Sequence, residues 1–502
     1  MVLGTGSGVG KSFVAAGLCR LLSNSGFRTA PFKAQNMSNN SYVTEEGGEI
    51  GRAQAVQAEC ARVTPHTDMN PVLLKPASDN GSQVILQGKS IGHFKAREFY
   101  SQRERIAKAI RESYERLSAS YEMIILEGAG SPAEINLKKN DLVNMPMARL
   151  AGARCILVGD IDRGGVFASL IGTLSLLEAE EQERIAGFVI NKFRGDFSLL
   201  EDGLDFLEER TGKKVWGVLP YDRDLWIEEE DALAVENTDF RDPDKQKLDK
   251  LDIAVILLPR LSNFTDFEIL KHDPSVQLRY IKKPEEVGEP DLLILPGTKA
   301  TLADLAYLKE KRLDTKILDF ADRGGRILGI CGGYQMMGTR LRDPHGFEER
   351  NQGEIEGLKL FKMATEFYPE KVLRKAEDFV DSEIFGARVS GKLECYEIHM
   401  GQSTLEESYQ PFGTCGAIHP SGKILGTYYH GLFDSGEFRE SFLNALAQSA
   451  GKRRAGGGHL QSAGQLKEIH YERLSRLLLQ RLNLNLLSEA LGVTEFHALP
   501  QA

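Results

Sequence analysis

The chain opens MVLGTGSGVGKS (residues 1–12), and this stretch decides how the rest is read. Gly10, Lys11 and Ser12 end it as a phosphate-binding loop ends, running straight into a helical pattern. The usual spacing, G-x-x-x-x-G-K-[ST], asks for glycine at position 5, where Thr5 stands; Gly4 lies one residue too far upstream. The physics of the loop survives this irregularity. Gly6, Gly8 and Gly10 permit positive φ and close backbone approach. N–H groups along Thr5, Gly6, Ser7, Gly8, Val9 and Gly10 can then converge on phosphate oxygens. The helix presents its positive N-terminus, Lys11 can reach the β- and γ-phosphates of ATP, and Ser12 can ligate Mg²⁺. Only Met1, Val2 and Leu3 precede Gly4, so the first strand is expected to be short, as from a start set a few residues late or a clipped chain.

Beyond the loop, apolar runs alternate with amphipathic ones. TAPFK (29–33), MIILEGAG (123–130), CILVGDID (155–162) and IAGFVINKF (185–193) read as buried strands, and KSFVAAGLCRLLSNSG (11–26) as a helix with Gly26 at its end. This alternation predicts an α/β fold, a doubly wound, mainly parallel sheet whose strand ends form the ligand crevice. Glu127 closes one such strand and is a second candidate for Mg²⁺, while Lys33 closes another and can neutralise phosphoryl charge. The polar cluster PFKAQNMSNN places Lys33, Gln35, Asn36 and Asn39 where a substrate is expected.

The charged segment 235–252 interrupts the rhythm and reads as a linker. A second α/β series follows in IAVILLP (253–259), DLLILPGT (291–298) and RILGICGG (326–333), then a more β-rich region to about 430. The expected division is 1–235, linker 236–252, 253–445, and a C-terminal flexible segment with a helix at 446–502. GICGG (329–333) is the cysteine form of a nucleophile elbow: small neighbours lift Cys331 to the sheet edge, and the Gly332 N–H can help bind an oxyanion. A helix start beside the thiol favours thiolate, which still needs a base. His430, in GTYYHGLF, follows a strand-like run and precedes a glycine, and is the best candidate; His66, His93, His272 and His470 read as structural or surface residues.

The bulk properties narrow the classes. A net charge of −10 argues against a dedicated nucleic-acid binder. No apolar run approaches the ~20 residues of a membrane span, and the opening residues lack a signal-peptide pattern. Six scattered cysteines without a C-x-x-C pair suit a reducing compartment and no zinc cluster. The chain is therefore expected in the cytoplasm, with small-molecule partners; a homo-oligomer is compatible with the sequence and not specified by it.

GICGGYQMMG with GTYYHGLF resembles a class I glutamine amidotransferase domain, and LILPGTKATLADL resembles the segment in which Gly297 joins the oxyanion hole. The first loop is similar to that of dethiobiotin synthetase and its relatives. Both domains in this order resemble the cobyric acid synthase family, as do PFKAQNMSNNSYVTEEGGEIGRAQAVQAE, NPVLLKPASDNGSQV, LEGAGSPAEINL, DIDRGGVFAS, NKFRGD and YEIHMG. The resemblance covers nearly the whole chain. It implies ATP- and glutamine-dependent amidation of the b, d, e and g carboxylates of adenosylcobyrinic acid a,c-diamide, in cobalamin biosynthesis. It further implies that Cys331 forms a glutamyl thioester, His430 moves protons, Gln335 contacts glutamine, Asn191 lies near adenine, and ammonia displaces phosphate from an acyl phosphate.

Three departures stand out. Leu432 occupies the acid position of the usual H-x-E, so the third triad member is missing or comes from elsewhere. Gly8 replaces a commonly polar residue, and 452–467 looks longer than the family's tail. Two alternatives stand beside this reading. One is the related cobyrinic acid a,c-diamide synthase, against which PFKAQN and EGAGSPAEINL argue. The other is a phosphate-loop switch with a decayed glutaminase, against which intact Cys331 and His430 argue.

Overall fold

The computed structural model describes residues 1–78, 81–228, 250–348, 353–454 and 460–493. In the first domain β1 (Val2–Gly4) leads through the loop into α1 (Lys11–Asn24). There follow β2 (Thr29–Phe32), β3 (Glu49–Gly51), α2 (Arg52–Cys60), β4 (Val72–Ser78), β5 (Met123–Leu126), β6 (Cys155–Asp160), β7 (Ile185–Phe193) and β8 (Lys214–Pro220). β1, β6, β7 and β8 are parallel neighbours in that order. β2 pairs parallel with β5, and a parallel bridge from Val2 to Glu127 sets β5 beside β1. Successive strand residues feed different cores: Val2, Ile156 and Val158 join Val14 and Leu18 of α1, while Leu3 and Leu157 join Leu170 and Leu174 on the opposite face. With both faces covered, the strands are apolar throughout instead of alternating.

The second domain repeats the plan. β9 (Leu251–Ile256), β10 (Val276–Ile281), β11 (Leu292–Leu295) and β12 (Ile327–Ile330) lead into the short helix α3 (Gly332–Met336). β13 (Met363–Ile384) and β14 (Ala387–Leu405) form one long antiparallel hairpin, followed by β15 (Ile424–Thr427) and α4 (Gly436–Ser449). The parallel strands order as β10-β9-β11-β12-β15. The expected β-rich region is chiefly this hairpin, whose sheet includes the short strand Tyr429–His430 beside β14.

The structure corrects two expected boundaries. β9 starts at Leu251, inside the stretch assigned to a linker; most of that linker falls in 229–249, outside the described residues. Of residues 446–502, those described (446–454 and 460–493) pack on the two domains. α4 runs to Ser449, and α5 (Ala463–Arg481) returns to the first domain. There Tyr471, Leu474 and Leu478 share a core with Val14, Leu21 and Leu22 of α1. Gly17 makes the approach close: a Cβ there would lie 2.3 Å from Leu478 Cδ1. Arg20, fully buried, is gripped by Glu468 at 2.6 Å and Glu472 at 3.3 Å. An amphipathic helix must cover its apolar stripe, and the outer face of α1 is the surface it covers. Within the stretch expected to be flexible, residues 455–459 lie outside the described residues, and just before them Lys452 is anchored to Asp291 at 2.5 Å and Arg454 to Asp273 at 2.7 Å. No helix among the described residues is long and apolar enough to cross a membrane.

Candidate active site

At the carboxyl end of β1 the loop turns through Gly8 (φ 71°) and Gly10 (φ 101°), left-handed conformations that favour glycine. Gly10 is demanded twice over, since a Cβ there would lie 2.0 Å from Asn191 Nδ2. Asn191 donates to Val9 O at 3.0 Å and so braces the loop from below. Lys11 curls over it, donating to Gly6 O at 2.7 Å and Gly130 O at 3.0 Å. Ser12 Oγ donates to Glu127 Oε1 at 2.8 Å. Glu127 is buried and also receives Lys33 Nζ at 2.9 Å and Gln57 Nε2 at 2.5 Å. Burial alone would raise its pKa; the Lys33 charge and the hydrogen bonds outweigh that and hold the carboxyl below its ordinary range.

A second acid went unselected in the sequence. Asp160 ends β6, next to β1 in the sheet, and pairs with Lys192 at 3.0 Å, which also donates to Gly8 O at 2.7 Å. The signal was an acid at a strand's carboxyl end beside the loop strand. Ser12 and Glu127 give an oxygen donor pair that fits a hard cation such as Mg²⁺. Among the described residues no group of three or more His, Cys, Asp or Glu is placed to hold a metal.

The residues expected near the substrate separate. Asn36 is turned inward, donating to Gln54 Oε1 at 2.8 Å and accepting from Met37 N at 2.9 Å. Lys33 is committed to Glu127. Gln35 and Asn39 are half-buried. Their neighbours Asn40 and Ser41 reach the second domain, Asn40 Oδ1 accepting from Phe264 N at 3.2 Å and Ser41 N donating to Asn263 Oδ1 at 3.1 Å.

In the second domain β12 ends in Cys331, held at φ 52° between strand and α3. Positive φ at a non-glycine residue is the strained turn of a nucleophile elbow. Glycine at 333 follows from space: a Cβ would lie 2.0 Å from Leu295 O. Thr427 O accepts from Cys331 N at 2.8 Å, tying the elbow to β15. Three residues later on the same crossing, His430 is fully buried with Nδ1 2.6 Å from Asp266 Oδ2. Asp266 Oδ1 accepts from Gly431 N at 2.9 Å, so both its oxygens are used. His430 Nε2 is then the nitrogen left over, buried and without a hydrogen-bond partner. Burial pushes the His430 pKa down, but the charge of Asp266 and the interaction with Cys331 prevail and raise it to about 10. Gly297 packs against this ring; a Cβ there would lie 3.0 Å from His430 Cε1.

The missing acid of H-x-E thus has a substitute. Leu432 is core, and Asp266 arrives from a 3₁₀ helix (Phe264–His272) 164 residues earlier in the chain. Gln335 is buried beside the elbow, accepting from Thr301 Oγ1 at 3.2 Å and donating to Tyr428 OH at 3.3 Å. A cavity of about 50 Å³ is lined by Cys331, Gln335, Lys299, Glu348, Lys371 and, from the first domain, Lys75. Glu49 of β3 accepts from Lys75 at 2.6 Å and from Lys371 at 2.5 Å, joining the domains at the cavity. Burial, then the neighbouring lysines Lys371 and Lys75, lower Lys299 to about 7, and burial raises Glu348 to about 7.

Two family models divide the chain between them. The CobQ/CobB/MinD/ParA nucleotide binding domain matches residues 1–234, and the CobB/CobQ-like glutamine amidotransferase domain matches 252–438. The class is thus a nucleotide-binding domain joined to a glutamine amidotransferase domain. A cobyric acid synthase of Syntrophobacter fumaroxidans is 44% identical over 98% of this chain and 98% of its own. Those of Pelotomaculum thermopropionicum (45%, 98% and 96%) and Vibrio parahaemolyticus (45%, 97% and 98%) are similar to the same extent. The chain belongs to the cobyric acid synthase family.

Proposed function

We propose that the chain amidates the b, d, e and g carboxylates of adenosylcobyrinic acid a,c-diamide, giving adenosylcobyric acid, with ATP and glutamine consumed at each amidation. The observation that carries this reading is the Cys331–His430–Asp266 arrangement in the same chain as the phosphate loop, along a near full-length family match. At the elbow Cys331 passes its thiol proton to His430 and Sγ attacks the carboxamide carbon of glutamine, with the N–H groups of Gly297 and Gly332 toward the oxyanion. With its pKa raised to about 10, His430 holds that proton at neutral pH and gives it to the departing ammonia. Water then attacks the glutamyl thioester, His430 takes its proton, and glutamate leaves. Asp266 holds the ring in orientation and stabilises its charge. Lys75, Lys299 and Lys371 with Glu348 suit the α-carboxylate and α-ammonium of free glutamine.

At the loop a corrinoid carboxylate oxygen attacks the γ-phosphorus of ATP and ADP leaves. Ammonia adds to the acyl carbon of the resulting acyl phosphate, phosphate departs, and a proton is lost. A poor electrophile thereby gains a leaving group, and the protein's task is position and charge. Lys11 neutralises the phosphates, and Asn191 fixes the loop that cradles them. Ser12 and Glu127 would hold Mg²⁺, which supplies charge neutralisation there. Lys33, Gln35, Asn36 and Asn39 are the residues proposed for the corrinoid side. The test is Cys331→Ala. Glutamine-dependent ADP formation with the a,c-diamide should vanish while ammonia-dependent formation persists; loss of neither, or of both together, refutes the reading. Offering cobyrinic acid in place of its a,c-diamide separates this activity from that of the a,c-diamide synthase.

A further inference from the structure

His430 is fixed by more than Asp266. Its ring stacks on Tyr396 of β14, centroids 5.2 Å apart and planes 19° from parallel. The two residues are also direct partners across the strands. Tyr396 is in turn held from the other domain. Arg52, the first residue of α2, donates from Nη2 to Tyr396 OH at 2.8 Å, and its guanidinium lies 5.6 Å from the centre of the same ring. Arg52 is itself wedged over Tyr42 at 5.4 Å, and its charge is matched by Glu228, Glu59 and Asp434. Helix α2 has little freedom to move: eight of its nine residues are buried. Five residues on from Arg52, about 7.5 Å along the axis, Gln57 holds Glu127 at 2.5 Å. The synthetase domain therefore reaches the face of the glutaminase histidine through Tyr396.

Asp266 fixes the His430 ring in its own plane, by a bond to Nδ1. It leaves the tilt of the ring open, and tilt decides where Nε2 points. The Tyr396 face closes that freedom, and Arg52 closes the freedom of Tyr396. We infer that Tyr396, gripped by Arg52 of the first domain, is a positioning residue for His430, so that the synthetase domain supplies part of the geometry of glutamine hydrolysis. This rests on the reading of His430 as the proton carrier. A misplacement of about 1 Å in such a group costs about 10²-fold in rate.

The experiment compares Tyr396→Leu, Tyr396→Phe and Arg52→Lys in the full chain. Glutamine hydrolysis and ammonia-dependent ADP formation are each measured, the latter with the a,c-diamide. Tyr396→Leu should lower kcat for glutamine hydrolysis about 10²-fold with KM for glutamine little changed and the ammonia-dependent rate retained. Tyr396→Phe, which keeps the stacked ring but loses the bond from Arg52, should fall between, about tenfold below wild type in kcat. A wild-type kcat in Tyr396→Leu overturns the inference, as does a parallel loss of the ammonia-dependent rate or a Phe variant as impaired as Leu. Should Tyr396→Leu not fold, Arg52→Lys decides: it keeps the charge but loses the fork, and should lower kcat about tenfold at unchanged KM, an unchanged kcat again overturning the idea. A His430→Ala variant that still hydrolyses glutamine would remove the underlying reading instead, so the two failures are told apart.

Discussion

The phosphate loop and the cysteine elbow are the same kind of turn, each at the carboxyl end of a parallel strand and each leading into a helix. They differ in how far the chain must reach to complete them. The loop is finished from within its own domain, by Glu127, Lys33, Gln57 and Asn191. The elbow draws on residues scattered from Asp266 to His430 and on Lys75 and Arg52 from the other domain. A site that grips phosphate needs backbone amides and a few charges, all available locally. A site that must release ammonia only for a waiting acyl phosphate gains from being assembled by the domain that makes the acyl phosphate.

Four experiments test this contrast. The largest effect belongs to Cys331→Ala, which should remove glutamine-dependent turnover by roughly 10⁴- to 10⁶-fold and spare the ammonia-dependent rate. Asp266→Asn comes next, with a loss of on the order of 10²- to 10⁴-fold confined to glutamine. Its pH profile carries a sign. Removing the negative charge beside His430 lowers the imidazole pKa from about 10, so the alkaline limb of kcat should move to lower pH. A limb that stays in place would show that Asp266 does not hold the proton there. Lys11→Ala is the counterpart at the other site, expected to reduce turnover with glutamine and ammonia alike by on the order of 10²- to 10³-fold; a loss with glutamine alone would erase the distinction between self-contained and shared sites. The smallest effect is that of Lys75→Met. It should raise KM for glutamine about tenfold, a change of ~1.4 kcal/mol, and leave ammonia-dependent KM values alone, as titrations of initial rate against each nitrogen source would report.

The same contrast explains what the sequence made legible. Loop and elbow are local turns with positions only glycine can fill, and Gly10 and Gly333 meet Asn191 Nδ2 and Leu295 O at 2.0 Å when given a Cβ. Such crowding leaves a pattern in consecutive residues, so Lys11, Ser12, Cys331 and the strand carrying Glu127 were all readable. Asp266 was not. It meets His430 across 164 residues, and SNFTDFEIL carries no spacing that marks an acid for a histidine. Its one clue was position, just beyond the carboxyl end of β9, a sheet neighbour of β11. Asn36 shows what residue type alone leaves out: its surroundings look like a ligand crevice, and its amide donates to Gln54. A helix in the C-terminal segment was readable, but the stripe of leucines on α5 does not say which face it will cover. That choice was written in Gly17 and in the buried Arg20, remote from it in sequence.

The return of α5 to α1 sets a timetable for synthesis. A ribosome delivers residues N-terminal first, and domains generally fold as they emerge. Here the first domain is translated early but must wait, with Leu21, Leu22 and the guanidinium of Arg20 uncovered, until Glu468, 448 residues after Arg20, and then Leu474 and Leu478 appear. The second domain, made later, can close its own core sooner. The nascent chain thus carries a nucleotide-binding half whose outer face is completed only after the glutaminase strands have been made, and a chain halted before α5 would present Leu21, Leu22 and Arg20 to chaperones.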